Sequence, residues 1–99
     1  MIPQEQLEKR AKRLYDDIKT AKVYMSGTPY DGVIQKKTID KNVVKVFVSL
    51  SSYDGEITKI EIYDVDGDIL QVQEMEIIKS KRYKFLAVVE IRIENEVMR

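Results

Sequence analysis

The sequence predicts an α+β domain in which an N-terminal amphipathic helix packs on a four- to five-stranded antiparallel meander. Three observations predict it. Apolar residues near the start recur at steps of four and three, whereas those after residue 43 recur at steps of two. The links between the two-period runs are too short for crossover connections, so neighbouring strands pair as hairpins. A meander with one apolar face must cover that face, and the chain offers a single helix to do so.

The helix is read over residues 4 to 19. Pro3 suits its first turn, where a missing N–H costs nothing, and Leu7, Ala11, Leu14, Ile18 and Ala21 form its apolar stripe. Glu5 with Lys9, Glu8 with Lys12 and Lys12 with Asp16 place opposite charges four apart, each pair adding about 0.2–0.5 kcal/mol. Residues 26–32, SGTPYDG, are turn formers that end the helical region. A fifth strand at 33–39 is weakly signalled, because Lys36-Lys37 interrupts its alternation.

Period two is clear from Val44 onward. Val44, Val46, Val48 and Leu50 share one face, with Lys45 and Ser49 opposite. After a turn at 51–55, residues 57–65 form a strand rich in β-branched residues. Asp66-Gly67 then fits a two-residue type I′ turn with positive φ at both positions. In the returning strand, 69–78, Leu70 and Val72 fall on one face and Met75 and Ile77 on the other. A β-bulge near Gln73-Glu74 would bring both pairs to the core. Following a polar turn at 79–82, Tyr83, Phe85, Ala87, Val89, Ile91 and Ile93 alternate cleanly. The sheet thus spans about residues 33–97 of a single domain.

Composition excludes several function classes. The 99 residues hold 17 Lys+Arg against 17 Asp+Glu, so there is no chain-wide basic field for nucleic acid. Without cysteine or histidine, no disulfide framework, thiolate zinc site, thiol nucleophile or imidazole base exists. No apolar run reaches the roughly 18 residues of a membrane span, and no signal peptide opens the chain, which reads as cytoplasmic.

The remaining constellations are sparse. Asp64, Asp66 and Asp68 imitate the start of a calcium loop, but its sixth position is Ile69 rather than Gly and its twelfth is Met75 rather than Glu. No metal and no cofactor is expected. Lys9, Arg10, Lys12 and Arg13 form one basic cluster, and Lys79, Lys81, Arg82 and Lys84 a second, a candidate anion patch. The first is interleaved with Glu5, Glu8, Asp16 and Asp17 and neither carries an aromatic strip, so nucleic-acid binding is the lesser reading. Glu74 and Glu76 share a strand face, but a small meander offers no cleft to raise one pKa, so no enzyme is expected. Tyr30 is a candidate interface anchor. Val43, Phe47, Leu86 and Val88 fall on the face away from the core, and strands of about ten residues outrun a single narrow helix. Either the sheet curls on itself or another chain covers part of it.

One stretch bears a resemblance. Residues 55–70, GEITKIEIYDVDGDIL, preceded by VVKVFVSL and followed by FLAVVEIRI, resemble β-modules of tail-fibre and baseplate-associated proteins of tailed bacteriophages and prophages. Ile57, Thr58, Ile60, Ile62, Asp64, Asp66 and Gly67 carry the match. The resemblance implies a structural, non-catalytic assembly role in a virion. The first expectation is therefore a structural or protein-interaction module, homo-oligomeric or bound to a protein partner. Two alternatives are a regulatory or inhibitory binding protein of cystatin-like outline and a nucleic-acid-binding accessory protein. The cystatin outline lacks its hallmarks, since QVQEM holds no Gly and the chain no Trp.

Overall fold

A computed structural model describes residues 2–50, 53–80 and 84–94. Helix α1 spans Gln4–Asp17, and six strands follow: β1 (Ile18–Met25), β2 (Thr28–Asp40), β3 (Val43–Leu50), β4 (Gly55–Asp64), β5 (Ile69–Lys79) and β6 (Phe85–Arg92). The α+β class and the antiparallel sheet hold, with six strands instead of four or five and with meander pairing of sequence neighbours confined to β1–β2–β3 and β4–β5.

The additional strand comes from the end of the expected helix. Ile18 and Ala21 extend the helical stripe, but the helix stops at Asp17 and Ile18 is already extended at φ −62°, ψ 122°. Beyond it Ala21, Val23 and Met25 are all buried with a spacing of two, which makes β1 a strand. SGTPYDG is likewise not a loop. Only Ser26 (φ 50°) and Gly27 (φ 84°) turn the chain, both left-handed, and Thr28 already pairs with Met25. The weakly signalled strand is the long β2, and its broken alternation is a register shift between Ile34 and Lys36.

The sheet order is β5-β4-β1-β2-β3-β6. Strands β1–β2–β3 are sequential neighbours and β4–β5 a hairpin, while β4 also joins β1 and β6 joins β3. The run β4-β1-β2-β3 is a Greek-key order. Five residue steps from Leu50 to Gly55 reach about 17 Å, against about 14 Å for three strand spacings on a flat sheet. Curling brings those ends closer, and the sheet is in fact nearly closed. Of the two outcomes left open by the strand lengths, curling supplies the core. Val23, Val44, Val46, Val48, Ile57, Ile60, Ile62 and Val89 are fully buried inside it.

Helix α1 lies against β2 and β3. Leu7 and Ala11 are buried, Gln4 Nε2 donates to Asn42 Oδ1 (3.3 Å), and Lys37 Nζ donates to the Tyr15 carbonyl (2.6 Å). The helix therefore covers the end of the curled sheet marked by the β2–β3 turn.

The Asp66-Gly67 turn differs in type from the expectation. Gly67 has φ 85°, but Asp66 is not in the left-handed region. Gly67 N–H donates to Asp64 O (3.1 Å) and Asp64 N–H to Asp68 O (2.9 Å), giving a three-residue loop with left-handed Gly last. In β5 the pairing slips near Leu70 and again between Glu74 and Ile77, close to the expected bulge. Leu70 and Met75 pack on the core; Val72 and Ile77 remain 42% exposed.

Candidate functional site

Alternation places the core-facing side chains of β3 and β6 inside the curl and their neighbours outside. Outside, Phe47 on β3 sits opposite Lys36 on β2 and Val88 on β6, and Ser49 sits opposite Val33 and Leu86. The sheet thereby gathers Val33 (56% exposed), Leu86 (59%), Val88 (41%) and half-buried Phe47 on one outer face. Three of the four expected interface residues, Phe47, Leu86 and Val88, come together in this way. Lys36 Nζ lies 4.6 Å above the Phe47 ring, and Gln35 Nε2 donates to the buried Ser49 Oγ (2.7 Å). Gln35, Lys36, Phe47, Lys84 and Leu86 line a hollow of about 310 Å³. Further hollows on the same face carry Asp31 and Ser49 at one end and Lys45, Glu90 and Arg92 at the other. The arrangement is a trough with an apolar middle and charged ends, suited to contact with another protein surface.

The fourth residue, Tyr30, is elsewhere. It is half-buried, packs on the core and meets the Tyr53 ring at 4.4 Å between centroids, so it is a packed side chain and not a free anchor. The neighbouring Val33 was missed because the bulge that follows Ile34 breaks the alternation that would have assigned its face.

The basic residues do not form one patch. Lys9, Arg10, Lys12 and Arg13 are exposed on α1, where Lys12 pairs with Asp16 at 2.8 Å. Lys79 is buried, and its Nζ donates to the carbonyls of Tyr53 (2.9 Å) and Ser80 (3.1 Å). That corrects its place in an anion patch: it ties the end of β5 to the segment before β4. Lys84 is exposed beside the trough, whereas Lys81, Arg82 and the neighbouring Tyr83 lie outside the described residues.

Asp64, Asp66 and Asp68 bring carboxylate oxygens within 4.8 Å of one another. Asp64 Oδ1 accepts the N–H groups of Asp66 and Asp68, both at 2.9 Å, which is the turn chemistry of Asp. Glu74 and Glu76 are exposed at the rim of a wide hollow of about 670 Å³.

A second cluster was not anticipated. Glu61, on the outer face of β4, is buried; it accepts the Tyr63 hydroxyl (2.5 Å), and Lys59 Nζ lies 3.5 Å away. The Tyr63 hydrogen bond holds the Glu61 carboxyl below the usual carboxylate range against the opposing effect of burial, with Tyr24 and Lys59 assisting. The same bond pushes the Tyr63 hydroxyl well above its ordinary value. Lys59 also lies 4.3 Å over the Tyr24 ring. Each group faces a partner, so the cluster fastens β1 to β4.

No helix among the described residues is long and apolar enough to cross a membrane. Compared with known protein families, curated proteins and solved structures, the chain matches none.

Proposed function

We propose that this protein is a non-enzymatic interaction and assembly module that docks through the outer face of β2, β3 and β6. The observation that carries the reading is the gathering of exposed Val33, Leu86 and Val88 with half-buried Phe47 on one outer face of a sheet whose interior already has a filled core. These side chains lie on the face away from that interior, and apolar surface gathered in this way marks an interaction site. Lysines flank the apolar centre, which favours a partner combining apolar and acidic groups. The resemblance of residues 55–70 to tail-fibre and baseplate modules supports the same reading, with a virion as the assembly.

The test replaces Val33 and Leu86 together by Asp and compares the variant with the native protein. Thermal stability should be nearly unchanged, because both residues lie outside the core. Association measured by sedimentation and by chemical cross-linking in the native source should be lost. Association that persists in the double variant would move the interface to another surface.

A further inference from the structure

Among the described residues, strand β6 is an edge of the sheet. It and β5 end the sheet order, with no ladder between them among the described residues, and their Cα atoms come within 8 Å only locally. The two edges are unlike. β5 has two register slips, a feature that blunts edge pairing. β6 pairs with β3 through eight successive residues, from Val43↔Arg92 to Leu50↔Phe85, with no shift. It contains no Pro and no Lys between residues 85 and 92. An edge in unbroken register presents its outward N–H and C=O groups as a template for another strand.

The side chains along that edge say what the strand is. Set antiparallel to itself about Ala87, β6 faces Leu86 with Val88 of the second copy and Lys84 with its Glu90, and each pair occurs twice. All four are exposed on the outer face. The small Ala87 falls on the two-fold axis, where it meets its own counterpart. Sliding the register by two residues per strand toward the C-terminus puts Leu86 opposite Arg92 and Val88 opposite Glu90, losing both matches. We infer that two copies of this chain associate through an isologous antiparallel β6–β6 pairing centred on Ala87, which makes one continuous sheet of their outer faces. The inference rests on the interaction reading above and names the partner as a second copy.

The charge pairs give the test. In sedimentation velocity and equilibrium, the native protein should dimerise reversibly. Lys84→Glu and Glu90→Lys should each raise the dissociation constant about tenfold, since each turns two attractive cross-strand pairs into repulsive ones. The double reversal restores opposite charges at both positions and should recover most of the affinity. The chain has no cysteine, so Ala87→Cys introduces a sole thiol. Cross-strand Cα spacings of about 4.5–5.5 Å suit a disulfide, so oxidation should link the two copies, whereas Lys45→Cys on β3 should not link. A monomer at all concentrations overturns the pairing. So does a dimer that ignores the charge reversals and fails to cross-link through Ala87→Cys. In that second case association through the outer face would still stand, so the two failures are told apart.

Discussion

The loop from Asp64 to Asp68 shows how a single residue sets a hairpin. Gly67 sits at φ 85° with no heavy atom within 4 Å of where a Cβ would be, so any penalty for substitution comes from the backbone and not from a clash. A β-branched residue resists that conformation most, and Gly67→Val should cost about 1–3 kcal/mol in denaturant unfolding. Gly67→Asn should cost less, because Asn tolerates the left-handed region. Equal losses for the two would remove backbone strain as the cause. Glu61 makes a different kind of contribution. Its carboxyl is held below the ordinary range, so its stabilisation is fully present above the unfolded value of about 4.3 and fades as pH falls from there through the folded value. Glu61→Gln keeps an acceptor for the Tyr63 hydroxyl but cannot titrate. It should therefore lower the melting temperature at neutral pH and flatten its decline below about pH 4.5. Parallel acid limbs in the two proteins would assign acid sensitivity to other carboxylates.

Close approach decides the packing at the level of elements. Gly32 on β2 pairs with Ala21 of β1, and a Cβ there would meet Val48 Cγ1 at 2.8 Å and Val23 Cγ2 at 3.1 Å. Both valines are fully buried and stiff at χ1, so neither can swing aside. Gly32→Ala should destabilise by about 1–3 kcal/mol through overpacking, although Ala suits a strand better than Gly. A gain in stability would show that the curl relaxes easily at this point. The same elements show what periodicity reveals and what it hides. Strands β3 and β6 were legible because their inward residues alternate without interruption, as in Val44, Val46, Val48 and Leu50. Strand β4 was legible from its β-branched composition, although its inward Ile57, Ile60 and Ile62 step by three and then by two across a register shift. The α1–β1 junction was not, because Ile18 and Ala21 satisfy a helical stripe and a strand alternation together, and no turn residue separates the two elements. The alternation of Ala21, Val23 and Met25 was the available signal. The outer-face residues Phe47, Leu86 and Val88 followed from alternation alone. Their assembly with Val33 needed the pairing of β2 with β3 and of β3 with β6, which links residues far apart in sequence.

Across the whole molecule, the sheet is protected unevenly. Strand β1 is hydrogen-bonded on both sides, to β2 and β4, and β3 is held by β2 and β6. Together with β4 they carry most of the fully buried side chains. Strand β5 has one partner and two slips, and Ile69, Ile77 and Ile78 stand exposed along it, Ile78 at 84%. Local opening follows burial and ladder completeness. Amide exchange should therefore be slowest in β1, β3 and β4 and fastest in β5, with α1 between them because only Leu7 and Ala11 are buried along it. Strand β6 should behave differently from every other element. Half of its amides point away from β3, and these exchange freely in a monomer but are covered if a second β6 lies alongside. Their protection should rise with protein concentration while that of β1 stays constant, and Glu90→Lys should abolish the rise. Protection of β5 equal to that of β1 at every concentration would instead mean that β5 and β6 close the seam in solution, leaving no edge for a second copy to use.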